Sequence, residues 1–337
     1  MNIRKEYFKI LSPEFPTWLN EYINTDRLQK QKDVSVTCGK VYSKLFDLND
    51  FSSLDHSIAV ALIIWNFTKN KKQTLAGLFH DISTPSFKHC IDFMNNDHLK
   101  QESTEDLTYT FIKESKDIMN LLKKDNIKID EVSDYKKYPI ADNDIPMLSA
   151  DRLEYTLSNS LIVFKISNLD DIRMIYNDIE IQKNEKGIIE LGFKTKKIAR
   201  LFVKLSSELS IKYRDDETRF FMQAIADILK MASKDNIVSK DDLYKYGDLN
   251  VIDIIKKSKY KDDLETLLSI KKVLTSHNKP IDKYSVNQKV KVRYIDPLYN
   301  NKRMSKECTI ARKMIEKNLN YNMNKYIYIN ENLKYLD

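Results

Sequence analysis

Chain-breakers are scarce in this sequence, with five glycines and seven prolines among 337 residues. So few turn-formers argue against a turn-rich β-sandwich or barrel and for long helices. The shortage of glycine also leaves little room for phosphate-cradling loops. There is no GxxxxGK(S/T) P-loop, no GxGxxG fingerprint and no GxSxG elbow. Cys38, Cys90 and Cys308 stand far apart and form no CxxC pair, which excludes a zinc-ribbon pattern and gives no sign of a disulfide framework. The opening stretch MNIRKEYFKILSPEF lacks the apolar segment of a signal peptide. The longest apolar run, residues 58–65, is far too short to cross a bilayer. A soluble cytoplasmic protein with no membrane partner is the expectation.

What is present fits an ordered globular chain: 42% of residues are hydrophobic and 31% charged, too apolar for general disorder. The length allows one large domain or two. A net charge of +7, from 56 basic and 49 acidic residues, favours anionic partners such as nucleotides or nucleic acid without choosing between them. No dense Lys/Arg block marks a nucleic-acid tail, so that partner is secondary and most charges read as solvated helix faces.

Along the chain, residues 1–50 read as helices that lead into FDLNDFSS, a loop whose Asp, Asn and Ser suit a helix start. Residues 55–67 are apolar almost all round, the mark of a helix inside the domain. Residues 73–81 continue in the same character until Pro85 breaks the pattern. Helical spacing returns at 87–94, 102–123, 148–166, 219–232 and 251–273, and in KIARLFVKLSSELSIKY. Strand patterns are expected at 186–195, 286–294 and 325–330. The predicted architecture is mainly α: a helical body over residues 1–280, with its functional core at about 50–165, and a small α/β element over 281–337.

The informative residues are polar ones standing where apolar ones belong. His56 opens the buried helix DHSIAVALIIW, His80 and Asp81 close TLAGLFHD, and Asp151 begins DRLEYTL. A buried imidazole or carboxylate is costly unless it is hydrogen-bonded, paired or bound to a metal. One buried histidine is usually a satisfied core residue; the joint pattern is what shifts the balance. Two imidazoles and two carboxylates make a mixed N/O set suited to one divalent Mn, Fe, Zn or Co ion, and less ideally to Mg.

The segments SSLDHSIAVA, LAGLFHDISTPSFKHCID and ADRLEYTL resemble the H…HD…D signature of the HD phosphohydrolase superfamily. More narrowly, HDISTPSFKHCIDF is similar to the HDxGHxPFxHxxE/D segment of deoxynucleoside triphosphate triphosphohydrolases. The resemblance spans most of residues 10–300 and implies an HD-domain helical bundle. It assigns His56, His80, Asp81 and Asp151 as metal ligands. It places Arg152 where the family has a phosphate-binding Lys, Tyr155 at a nucleotide-lining Tyr, Asn159 near an Asp that holds the sugar hydroxyl, and Tyr213 in the sugar pocket. It also implies a catalytic contribution from His89, Asp92 and Glu102, and assembly into a homo-oligomer. Two departures stand out, because Thr84 and Gln101 occupy positions where the family carries histidines. Neither can supply a proton near neutral pH.

The expected function is therefore metal-dependent phosphohydrolysis of a nucleotide or another phosphorylated small molecule, with a deoxynucleoside triphosphate as the substrate the resemblance implies. The alternatives are an HD nucleotidase or phosphodiesterase, and a catalytically weak nucleotide-binding sensor.

Overall fold

The computed structural model of the chain describes residues 2–101 and 107–336. It is 53% helical with only small sheets, so the mainly α class predicted from the sequence is what forms. No helix among the described residues is long and apolar enough to cross a membrane.

The centre of the fold is a helical hairpin. Ser52 starts the Ser53–Thr68 helix: its hydroxyl accepts from the Asp55 N–H at 3.0 Å, and Asp55 accepts from the Ser52 N–H at 3.2 Å. This reciprocal cap satisfies donors that the first turn leaves open. Every residue from 53 to 64 except Asp55 is buried, as an all-round apolar helix requires. Lys69, in the left-handed region at φ 50°, ends the helix, and the Asn70 side chain caps the next one, Lys71–Phe79. The two helices approach closely at Gly77, where a Cβ would lie 2.2 Å from Ile64 Cδ1 and 3.3 Å from Val60 Cγ1.

One apolar cluster surrounds this hairpin, and a second surrounds the Asp216–Lys234 helix through Phe220, Phe221, Ile225 and Ile228. Seven short strands are described: β1 (Ile179–Lys183), β2 (Ile189–Phe193), β3 (Leu274–Ser276), β4 (Ser285–Val286), β5 (Leu298–Tyr299), β6 (Lys302–Arg303) and β7 (Tyr326–Tyr328). They form two sheets, ordered β1-β2-β5-β6 and β3-β7-β4. The first joins the late chain to the middle, since β5 runs parallel to β2 and the buried Arg303–Glu190 ion pair (2.6 Å) locks β6 to the same edge.

Several expected elements are corrected. The strand expected over 286–294 stops at Val286. The segment beyond it takes other partners: Lys291 N donates to His98 O at 3.0 Å, and Arg293 O accepts from Ser210 Oγ and from Asn318 Nδ2. The helix expected over 251–273 is two, Asp248–Lys256 and Lys261–Ser269, separated by a turn in which Ser258 Oγ accepts from Tyr260 N. Of the helix expected over 102–123, residues 102–106 lie outside the described residues, and the remainder holds two helices, Thr108–Glu114 and Lys116–Lys124, the second capped by Ser115. Residues 148–166 begin as the Ala150–Ser158 helix and widen into a π turn, Asn159–Val163.

Candidate metal centre and its cavity

Three helices bring the central residues together. His56 lies in the first turn of Ser53–Thr68, His80 immediately follows Lys71–Phe79, and Asp151 is in the first turn of Ala150–Ser158. His56 Nε2 is 3.1 Å from His80 Nε2 and 3.2 Å from Asp151 Oδ1, and His80 Nε2 is 3.8 Å from the same oxygen. One donor atom from each of the three lies within 4.8 Å of the others.

The far side of each ring fixes its orientation. His80 Nδ1 donates to the Gly77 carbonyl at 2.7 Å, and His56 Nδ1 donates to the carboxylate of Glu154. Glu154 is wholly buried and also accepts from Tyr7 Oη at 3.1 Å and from Ser158 Oγ at 3.3 Å. With both Nδ1 atoms donating, two Nε2 lone pairs face each other. Such an arrangement requires a cation or a proton between them. Their separation suits two ligands each about 2.1 Å from one ion. The residues present therefore fit a divalent metal.

Asp81 stands beside this trio. Its Oδ1 is 3.7 Å from His80 Nε2, and its Oδ2 is 4.0 Å from His56 Nε2 but 2.7 Å from Lys88 Nζ. Burial raises the Asp81 pKa, but Lys88, His80 and His56 outweigh it and hold the carboxyl far below its usual range. Burial likewise raises Asp151, and its bond and charge interaction with His56 bring it down to about 2. Burial lowers His56; Glu154 and Asp151 overcome that and hold it up at about 10. The cluster is thus strongly attractive to positive charge.

These residues line one wall of a cavity of about 780 Å³, which Arg152, Tyr155, Asn159 and Tyr213 also face. Arg152 is tied down: its guanidinium donates to the Asn143 side chain (2.7 Å) and carbonyl, and pairs with Asp142 at 3.1 Å. The Tyr155 and Tyr213 rings meet edge-on at 6.3 Å, and Asn159 Nδ2 donates to Tyr213 Oη at 2.8 Å.

His89 also lines the cavity. Its Nδ1 bonds the fully buried Asp92 at 2.9 Å, and burial pulls its pKa below the ordinary value. Glu102 lies outside the described residues. Gln101 is in the cavity wall and accepts from Arg293 Nη2 at 2.5 Å. Thr84 is buried, with its carbonyl accepting from Lys30 Nζ and Gln31 Nε2.

The turn that presents Lys88 and His89 is unusual. Phe87 and Lys88 both have positive φ, 61° and 42°. Such strain persists where the surroundings over-determine it. Here the Asp248 carboxylate, buried, accepts from Phe87 N at 2.8 Å and from Ser35 N at 2.9 Å.

Reading the sequence missed Glu154, Lys88, Lys40 and Arg293. Glu154 had a signal, since a carboxylate three residues after Asp151 shares its helix face. Lys40 and Arg293 had none: they reach the cavity through turns and an irregular segment that no periodicity marks.

No protein-family model matches the chain. It is similar to the uncharacterized protein YdhJ of Bacillus subtilis (strain 168), 26% identical over 245 residues, which is 72% of each chain. Among solved structures it resembles a hypothetical protein from Aquifex aeolicus (TM-score 0.63, 18% identity, 94% of this chain and 93% of that one). It also resembles a phosphohydrolase from Bacteroides thetaiotaomicron (TM-score 0.59, 13% identity, 94% and 96%). The likeness is one of fold along nearly the whole chain.

Proposed function

We propose that this protein is a metal-dependent phosphohydrolase of the HD type acting on a nucleotide. The observation that carries the reading is the pair of imidazole Nε2 atoms, each fixed from behind and 3.1 Å apart, beside Asp151 on the wall of a large cavity. The fold shared with a phosphohydrolase supports it. The donor set favours Mn, Fe, Co or Zn over Mg. A divalent ion held there by His56, His80, Asp151 and Asp81 would supply Lewis acidity, acidifying water and polarising a phosphoryl oxygen.

The chain's own groups supply the rest. Arg293 has no carboxylate within 4 Å among the described residues and lines the same cavity as His89 and Gln101, so it can neutralise phosphate oxygens. Arg152, already fixed by Asn143 and Asp142, acts as a rigid neighbour of that charge. His89 is held neutral by burial and donates Nδ1–H to Asp92, which leaves Nε2 as an acceptor suited to orienting the attacking water. Tyr155, Tyr213 and Asn159 form an aromatic and amide wall for the nucleoside.

The finer reading is a deoxynucleoside triphosphate triphosphohydrolase. Water oxygen bonds to the α-phosphorus, the bond from that phosphorus to the sugar oxygen breaks, and the sugar oxygen takes a proton. The products are a deoxynucleoside and triphosphate. Gln101 favours a second reading, a nucleotide sensor with weak turnover, because an amide bonded to Arg293 cannot deliver that proton.

Metal analysis of the purified protein and a nucleotide screen with Mn, Fe, Co and Mg test both readings. Turnover that disappears in His80→Ala and Asp151→Ala supports the hydrolase, and its products name the branch. Bound metal and nucleotide without turnover favour the sensor. Turnover and metal both retained in His80→Ala would sink the centre.

A further inference from the structure

The cavity has a second pole that hydrolysis alone does not use. Lys40 is 5% exposed, lines the cavity, and has no carboxylate within 4 Å among the described residues. Its ammonium has one weak bond, to Thr218 Oγ1 at 3.4 Å, and sits 5.5 Å and 5.9 Å from the ring centres of Phe46 and Phe164. Asp215, whose charge it feels, is occupied in accepting from Thr218 N at 2.9 Å. A buried ammonium has three N–H donors, and leaving them unmatched is costly. Aromatic faces compensate only in part.

Its position is built. Gly39, with φ 81°, precedes it, and a Cβ there would lie 2.6 Å from Phe87 Cδ1, so the turn carrying Lys40 packs directly on the loop that carries Lys88. Phe164, which the Lys40 ammonium faces, follows the π turn Asn159–Val163, at the opposite end of the segment that Asp151 opens. Beside it, Tyr213 Oη already accepts from Asn159, so its own proton is available to a ligand. Lys212 Nζ also stands 5.4 Å from the Phe164 ring centre, so two ammonium groups flank that ring.

We propose that Lys40 and Tyr213 form a second anion subsite, which takes a phosphate borne by the sugar of the substrate, so that the substrate is a nucleoside bisphosphate. The inference rests on the nucleotide reading above. One phosphoryl end lies at the metal centre and Arg293, the nucleoside spans the Tyr155–Tyr213 wall, and the second phosphate meets Lys40. Burial pulls the Lys40 pKa down, and an anion in contact would raise it again.

Calorimetric binding to the full chain as purified tests this, with the four nucleoside 5′-monophosphates and their 3′,5′-bisphosphates as probes. The expected result is a preference for a bisphosphate of about tenfold or more, the size of one charge-assisted bond, collapsing toward unity in Lys40→Met. Equal binding of the two series, or a preference that survives the substitution, overturns the subsite while leaving the nucleotide reading intact. If no member of either series binds, the nucleotide reading fails and the subsite with it. Should Lys40→Met not fold by circular dichroism, Lys40→Gln takes its place and is read in the same way.

Discussion

Charge is handled in opposite ways at the two ends of the cavity. At the metal end it is concentrated and cross-matched: two imidazoles, the carboxylates of Asp81, Asp151 and Glu154, and Lys88 all lie within a few bonds of one another. At the far end Lys40 stands among Phe46, Phe164 and Thr218 with almost nothing to match it, and Lys212 sits over the same Phe164 ring. The first arrangement would hold a multivalent cation by excess negative charge. The second keeps an unmet positive charge in reserve. One end is organised by helices closing on each other and the other by a single tight turn, so the two should respond differently to substitution.

The sharpest way to break the comparison is to remove the metal end. His80→Ala or Asp151→Ala should abolish stoichiometric metal in elemental analysis and lower any hydrolysis by on the order of 10³-fold, several kcal/mol of transition-state stabilisation. Glu154→Gln keeps the bulk but weakens the acceptor behind His56. It should reduce metal affinity by about 10–100-fold in competition with a chelator, the usual cost of losing such a partner. Gly77→Ala forces Ile64 and Val60 to repack and should cost ~1–3 kcal/mol in denaturant unfolding, with weaker metal binding because His80 leans on the Gly77 carbonyl.

His89, which also lines the cavity, gives a pH signature. Its folded pKa is depressed, chiefly by burial. The unfolded chain, at about 6.5, therefore takes up the proton first as pH falls. The stability His89 contributes is complete above about pH 6.5 and is lost as pH falls through the lower folded value. Unfolding measured at pH 7.5 and 5.5 should show a smaller pH slope in His89→Asn. The smallest effect is expected at the far end, where Lys40→Met should stabilise the fold by ~1 kcal/mol, since an apolar side chain suits that site better than an unmatched ammonium. A large loss of stability there would erase the contrast between the ends.

The metal end was legible because its residues interrupt apolar helices. His56, His80 and Asp151 each stand at a position where the helical pattern calls for a core side chain, and the backbone brings all three to one point. Tyr155, Asn159 and Tyr213 were legible only through resemblance, and all three do face the cavity. Arg293 was read as part of an alternating strand, because alternation reports which side of an extended segment is buried but not whether that segment pairs. Its backbone bonds go to Ser210 and Asn318 side chains, which no local pattern encodes. Lys40 followed a glycine in an unmarked turn, where nothing separates an inward lysine from a solvated one.

Arg293 carries a consequence for how the molecule comes into being. The cavity wall combines His56 and Lys40 from the early chain with Arg293 from the late chain, and the Arg293 backbone is clasped by Ser210 and Asn318. Contacts so distant in sequence form late, after the loop between them has closed. During synthesis the helical hairpin can fold while Arg293 is still missing from the cavity wall. A nascent chain would thus be able to take up metal before it could grip a polyanion, and competence for substrate would arrive in one step when the segment around Arg293 docks.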